Sequence, residues 1–282
     1  MHWQTSRRKI SLARPLVMGI LNVTPDSFSD GGEYLSVDNA LGRAEAMIAD
    51  GADIIDVGGE STRPGGVQVA SDDEIKRVVP VIEAITKRFD TLISVDTTKS
   101  SVAVRAVDVG AEIINDISGL RFDAKIADIA AKTNAGLVLM HSRGDFASMH
   151  MQQPVDDIVL DVIGGLRGSI ALATARGVSS EQIAVDVGIG FGKTQEQNLE
   201  LIAKLDNIVN EFKPYPMLIG TSRKSFLTRI LGDVPPSERT GGSIATALKA
   251  LHNGAKILRV HDVRETVEAV KTVAAISGVI NR

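Results

Sequence analysis

Eight short apolar runs in this chain each close on a side chain able to make directed hydrogen bonds. In order, the closing residues are Asn22, Asp56, Asp96, Asn115 with Asp116, His141, Asp186, Ser222 and His261. Solvent at strand ends would explain polarity. It would not explain a succession of carboxylates and carboxamides that cations join only at the last strands. Asp96, Asn115 and Asp186 follow apolar residues and are at least partly desolvated, which pushes a carboxyl without cation or donor well above its usual range. Hydrogen bonds from a ligand with several N–H groups offset that cost. Two carboxylates and a carboxamide facing one pocket suit a flat, nitrogen-rich heterocycle. A cage for Mg2+ or Ca2+ would use the same hard oxygens. Lys224 and Arg259 share those positions, however, and would repel a metal ion placed among them.

The loops after these ends carry further chemistry. Asn22 opens Val23-Thr24-Pro25-Asp26-Ser27-Phe28-Ser29-Asp30-Gly31-Gly32, a stretch of hydroxyls, carboxylates and glycines that is a poor recipe for a core. Following a buried strand, it reads as an active-site loop on a rigid scaffold. In Gly58-Gly59-Glu60-Ser61-Thr62-Arg63-Pro64-Gly65 the glycines let backbone approach a ligand, and the planar fork of Arg63 suits phosphate or carboxylate. Val185-Asp186-Val187-Gly188-Ile189-Gly190-Phe191-Gly192-Lys193-Thr194 resembles a nucleotide loop but fails both fingerprints. Val187 stands where a phosphate-cradling loop needs glycine, and the third glycine comes one residue too early for a dinucleotide site. The glycines flanking Phe191 instead expose an aromatic face toward a pocket mouth.

Residues so far apart must be gathered by the elements that carry them. The apolar runs are Leu16–Leu21, Ile54–Val57, Leu92–Val95, Ile113–Asn115, Gly136–Met140, Ile183–Val185, Met217–Ile219 and Ile257–Val260. Helical patterns lie between them, near 37–50, 72–88, 100–109, 124–134, 155–176, 195–211, 224–252 and 263–276. Short, continuously apolar strands joined by crossover helices are the signature of a parallel sheet buried on both faces. Eight such repeats predict a single-domain α/β fold, a closed (β/α)8 TIM barrel spanning 16–282, with residues 1–15 as an N-terminal hairpin or cap. The doubly wound open sheet is the alternative. In a barrel all the polar ends converge on one face. Lys224 and the pair Arg259 and His261, which share one strand face, then lie where barrels commonly bind phosphate, with Asn22 on the neighbouring strand.

Bulk properties exclude other classes. With 282 residues, 44% of them hydrophobic, and a net charge of -4, the chain has ample core and no global basic field for nucleic acid or anionic membrane. It has no cysteine, hence no disulfide framework and no thiolate metal site, which fits the cytosol. Ser6-Arg7-Arg8-Lys9-Ile10 imitates an export signal but lacks the apolar region and cleavage site that must follow. No run approaches the ~18 apolar residues of a membrane span.

From about Leu16 to Ile276 the sequence resembles the dihydropteroate synthase family of the folate pathway. The resemblance rests on Gly19-Ile20-Leu21-Asn22-Val23-Thr24-Pro25-Asp26-Ser27-Phe28, Gly59-Glu60-Ser61-Thr62-Arg63-Pro64, Asn115-Asp116, Gly190-Phe191-Gly192-Lys193, Ser222-Arg223-Lys224-Ser225 and Arg259-Val260-His261-Asp262. It departs at Val187, where the family usually has proline, and at Ser142, where methionine is common. The family is a cytoplasmic, usually dimeric (β/α)8 barrel that joins 6-hydroxymethyl-7,8-dihydropterin diphosphate to p-aminobenzoate with Mg2+ and is the sulfonamide target. The resemblance implies that Asp96, Asn115, Met140, Asp186, Lys224 and Arg259 hold the pterin. It further implies diphosphate at Asn22, Thr62, Arg63, Arg259 and His261, with Mg2+ on Asn22. Phe28, Asp30, Thr62, Arg63, Pro64, Phe191, Lys224 and Ser225 would frame p-aminobenzoate. Catalysis would fall to Asn22, Asp96, Lys224, Arg259 and His261, in an ionisation-first displacement at the pterin methylene. The alternatives are a pterin-binding methyltransferase barrel, which needs no diphosphate clamp, and a non-catalytic pterin-binding paralogue.

Overall fold

Strands that are apolar on both faces need cover on both sides, and here the cover is a ring of helices outside and a packed column inside. The computed structural model describes residues 1–24, 33–62, 66, 68–149 and 151–280, the side chains of 33–36 and 279–280 excepted. Strands β1 (His2–Gln4) and β2 (Lys9–Ser11) pair antiparallel. The barrel follows as β3 (Leu16–Asn22), α1 (Glu33–Ala49), β4 (Ile54–Gly58), α2 (Ser71–Arg88), β5 (Leu92–Asp96), α3 (Ser100–Asp108), β6 (Ile113–Asp116) and α4 (Lys125–Thr133). It continues through β7 (Gly136–Met140), α5 (Ile158–Ala175), β8 (Ile183–Asp186), α6 (Gln195–Ala203), α7 (Leu205–Glu211), β9 (Met217–Ile219), α8 (Thr228–Leu231), α9 (Thr240–His252), β10 (Ile257–Val260) and α10 (Val263–Ile280). The sheet closes in the order β10-β3-β4-β5-β6-β7-β8-β9, every neighbour parallel. The predicted barrel is therefore present, and the open-sheet alternative is not.

Alternation along each strand sorts the side chains into two cores. Leu16, Met18, Ile54, Leu92, Ile113, Val138, Ala184, Leu218 and Ile257 point inward and fill the lower barrel. Val17, Leu21, Ile55, Val57, Ile93, Val95, Ile114 and Leu139 point outward against helix residues such as Val78, Ile82 and Val102. The fully buried Trp3 closes the bottom of the column, its Nε1–H donating to the Gln182 carbonyl at 2.7 Å. Thr5 Oγ1 donates to buried Glu112 at 2.8 Å, and Arg7 and Arg8 each reach the same carboxylate at 3.1 Å, which fastens the hairpin there.

Two helical stretches differ from the sequence expectation. The pattern over 195–211 is two helices meeting at Lys204, and that over 224–252 breaks into α8, a short turn and α9. Gly232 at φ 88°, followed by Pro235 and Pro236, accounts for the second break. A third difference concerns α5, which at 18 residues and mean hydropathy 1.6 is long and apolar enough to cross a membrane by length and composition. Its Ile158, Val162, Leu166 and Ala173 are buried in the outer core, and Asp161 and Arg167 interrupt its apolar surface.

Candidate active site

The inward positions above the apolar column are polar, and register stacks them. Ile20, Asp56 and Ser94 lie side by side across β3, β4 and β5, and one level up Gly58, Asp96 and Asn115 do the same. Arg259 enters from β10 at the level of Met18, below them all. Its guanidinium rises into the layer: Nε donates to Asp56 Oδ2 at 2.6 Å and Nη2 to Asp96 Oδ2 at 2.6 Å. Asn115 Nδ2 donates to the same Asp56 oxygen at 3.0 Å. One cation thus serves two carboxylates. Burial pushes the Asp96 carboxyl up to about 7, since Arg259 only partly offsets it and Asp56, Glu74 and Asp116 oppose its charge. Asp56 Oδ1 and Ser94 Oγ, adjacent in register, are buried without a partner among the described residues.

The opposite wall is built by one loop. Burial raises the Asp186 carboxyl, and Lys224 and the Gly188 N–H, which donates to Oδ1 at 2.8 Å, pull it back. Lys224 Nζ donates to the Ile189 carbonyl and lies 4.5 Å from the Phe191 ring centroid; burial brings its ammonium down to about 8 despite the pull of Asp186. Met140 sits beside Asp186 in register and packs with Ile117, Met149 and Phe191 into an apolar patch at the mouth. Lys193 locks the loop from beneath, donating to the carbonyls of Gly188, Phe191 and His141 at 2.8, 3.0 and 3.2 Å. That lysine holds its own backbone, which explains why the sequence imitates a nucleotide loop without its spacing. Gly188 has φ 66°, and a Cβ there would stand 1.9 Å from the His141 carbonyl oxygen. Gly188→Ala must therefore move backbone, and a stability loss of at least about 2 kcal/mol is expected from denaturant unfolding, with weaker pterin binding. Wild-type values for both would contradict this account of the loop.

At the rim, Asn22 ends β3 beside β4, and Gly58 has no Cβ to separate Asn22 Oδ1, 3.8 Å from the place a Cβ would take, from Asp96 Oδ2 at 3.7 Å. His261 approaches Ser222 Oγ through Nδ1 at 3.0 Å, and the same hydroxyl accepts the His261 backbone N–H at 3.1 Å. Arg223 is turned away into a fork on Asp262, and Ser225 is exposed. Thr62 is half-buried on the loop after β4, whose root is fastened by Glu60, Lys99 and Glu74: Lys99 Nζ bonds Glu60 at 2.8 Å and Glu74 at 2.5 Å. Of the expected residues, Phe28, Asp30, Arg63 and Pro64 lie outside the described residues. Among the described residues no three His, Asp or Glu side chains group to hold a metal ion. Asn22 would offer a single neutral oxygen, which would fit Mg2+ carried largely by substrate phosphates and water rather than a dedicated cage.

Asp96, Asn115, Asp186, Lys224 and Arg259 are thus gathered at one mouth. Arg259, which the strand pattern puts where barrels commonly bind phosphate, is embedded among the acceptors. Asp116 and His141 end strands but leave the pocket. Asp116 accepts from the Ser118 and Leu120 N–H groups at 2.8 and 2.7 Å and shapes the turn, burial taking it up to about 6. The His141 ring packs against Gly165 and faces Asp161 at 3.4 Å; burial drives it down to about 2, keeping it neutral. The central part of Asp56 in the floor and the tie made by Lys193 were missed by sequence reasoning. The sequence shows Asp56 as a strand-end carboxylate, and its place two residues below Gly58 puts both on the inward face, but nothing in it gives Asp56 the partners it has in the floor.

Comparison with known proteins follows the same lines. Residues 18–261 match the family described as pterin binding enzyme. The chain is 48% identical over 262 residues to the dihydropteroate synthase of Bacillus subtilis (strain 168), covering 93% of this chain and 88% of that one. Its structure resembles Yersinia pestis dihydropteroate synthase in complex with a sulfonamide drug, with TM-score 0.91 and 43% identity over 99% of this chain and 100% of that one. It also resembles Burkholderia cenocepacia dihydropteroate synthase complexed with 7,8-dihydropteroate, with TM-score 0.90 and 41% identity over 99% and 98% of the two chains. The chain belongs to the dihydropteroate synthase family of pterin-binding enzymes.

Proposed function

We propose that this chain condenses 6-hydroxymethyl-7,8-dihydropterin diphosphate with p-aminobenzoate, giving 7,8-dihydropteroate and diphosphate. The observation that carries the reading is the closed set of acceptors, Asp96, Asn115 and Asp186, facing an apolar patch of Met140 and Phe191 across one mouth. A flat ring presents N–H donors to such oxygens and its faces to such side chains. Lys224 offers an ammonium to the ring's carbonyl or bare nitrogen. Arg259 places positive charge beside the ring, and Asn22 and His261 stand at the rim where the diphosphate would lie.

In the reaction the bond from the pterin methylene to diphosphate oxygen breaks, the arylamine nitrogen bonds to that carbon, and its proton passes to water. Asp96 supplies a counter-charge for the electron-deficient pterin, so departure of diphosphate comes first. Asn22 would hold Mg2+, which would supply positive charge to offset the charge developing on the leaving group. Thr62, Phe191 and Ser225 border the arylamine. The chain acts as a cytoplasmic homodimer, a reading supported by the family resemblance and by a composition without cysteine. Sedimentation of a species near twice 29.9 kDa tests the dimer.

Diphosphate release measured in steady state tests the reaction: it must require both substrates and fall on removal of Mg2+. Single-turnover mixing without p-aminobenzoate tests the order, and no diphosphate release at all would remove support for ionisation first. The titrations give a further expectation. Asp96 accepts fully only when ionised, so kcat/KM for the pterin substrate should rise with pH through about 7. Lys224 donates as an ammonium, so the same quantity should fall as pH passes about 8. Asp96→Asn should remove the acid limb and leave the alkaline one. A profile flat from roughly pH 6 to 9 would contradict both assignments.

A further inference from the structure

Asp56 lies wholly inside the barrel, below the groups assigned to substrate, and is 0% exposed. A carboxylate only accepts hydrogen bonds, whereas a carboxamide both donates and accepts. The 3.0 Å contact between Asp56 Oδ2 and the Asn115 carboxamide therefore forces the amide nitrogen toward Asp56. The Asn115 oxygen must then face the other way, toward the mouth. Arg259 Nε, bonded to the same Asp56 oxygen at 2.6 Å, holds that carboxylate in place. Among the described residues, Asp56 is the acceptor bonded to the Asn115 amide nitrogen, and it decides whether Asn115 shows the ligand an acceptor or a donor.

We propose that Asp56 is a positioning residue that fixes the Asn115 carboxamide with its oxygen toward the pocket, so that Asn115 joins Asp96 and Asp186 as an acceptor for the amino and ring N–H groups of the ligand. Its effect follows from the cost of mismatch. Without Asp56, the freed Arg259 Nε would draw the amide oxygen inward, so that N–H faces ligand N–H in most of the population; free flipping alone would cost about twofold, whereas forcing that mismatch is worth about tenfold to a hundredfold in affinity.

The inference rests on the pterin-binding reading, and the test separates the two. Binding of 6-hydroxymethylpterin to the full chain is followed by its fluorescence; if the unmodified protein does not bind it, the functional reading fails first. If it binds, Asp56→Ala should weaken binding about tenfold to a hundredfold, leaving KM for p-aminobenzoate unchanged. In an Asn115→Ala background the same substitution should cost under about threefold, because its effect passes through the amide. Equal losses in both backgrounds would overturn the proposal. Asp56→Asn, which keeps an acceptor oxygen, should restore binding to within about threefold of the unmodified protein.

Asn115→Asp preserves volume and serves if Asp56→Ala does not fold. The carboxyl it introduces, when protonated, would donate O–H to Asp56 and turn its carbonyl to the ligand, as the amide does. The groups facing that position are Asp56 on β4, Asp96 on β5 and Arg259 on β10. The affinity of Asn115→Asp relative to the unmodified protein should therefore rise as pH falls. A ratio that rises with pH would show that the carboxylate itself serves the ligand, and the positioning role of Asp56 would be lost.

Discussion

Arg259→Met is expected to lower the free energy of unfolding by about 3–5 kcal/mol, the largest stability loss of any single substitution at the mouth. The guanidinium is bonded to Asp56 and Asp96 at 2.6 Å each, and the Asp56 side chain is fully buried. Removing the cation leaves two carboxylates close together with no cation bonded to either, an arrangement far less stable than either a paired or an apolar core. The sign of the pH dependence follows. Without Arg259 the Asp96 carboxyl rises further above its unfolded range, so the folded state binds more protons than the unfolded one. Stability then falls as pH rises from the unfolded value toward the folded one. Denaturant unfolding at about pH 6 and pH 8 should show the variant losing more at the higher pH. Arg259→Lys should recover only part of the loss, since one ammonium cannot reproduce two fixed N–H directions. Unfolding within about 1 kcal/mol of the unmodified protein at pH 8 would mean that the carboxylates are not charged together, and the floor would have to be held by other contacts.

The same three residues show what could be read from the chain before folding. Each strand end was legible because apolar runs such as Gly136–Met140 stop where the barrel meets its mouth, and strand alternation then dictates which side chains turn inward. Asp96, Asn115 and Asp186 could be grouped on that basis. The partnership of Arg259 with Asp56 could not, because it spans 203 residues and depends on which strands become neighbours when the sheet closes. Sequence periodicity fixes a residue's face but not its height, and Arg259 rises from the level of Met18 into a layer that begins above it. The helix breaks at Lys204 and Gly232 were hidden for a different reason. The apolar spacing continues across them, while the caps and the proline pair that interrupt them act over a few residues. No role for Lys193 is legible in the chain, since the three carbonyls from two loops that mark it as a tie are not visible in the sequence.

Lys224→Met and Asp186→Asn should each weaken pterin binding by about 2–4 kcal/mol, or roughly 30-fold to 1000-fold. Unlike Arg259, neither should greatly unsettle the fold. Lys224 gives up one protein hydrogen bond, to the Ile189 carbonyl, and Asp186 as asparagine can still accept the Gly188 N–H. The loss therefore appears in ligand affinity and not in unfolding, which distinguishes a ligand-facing charge from a structural one. The double variant should lose less than the sum, because Asp186 holds up the Lys224 ammonium and Lys224 holds down the Asp186 carboxyl. Titration of 6-hydroxymethylpterin into the four proteins, with thermal unfolding of each, measures the coupling directly. Full additivity would imply that the two groups act on separate parts of the ligand. Undiminished binding in either single variant would remove it from the pocket. Sub-additive loss with intact folding is the expected outcome, for a physical reason: the Gly188–Lys193 loop supplies both the N–H that holds Asp186 and the carbonyl that holds Lys224, so one rigid segment sets the distance between an acceptor and a donor that must meet the same ring.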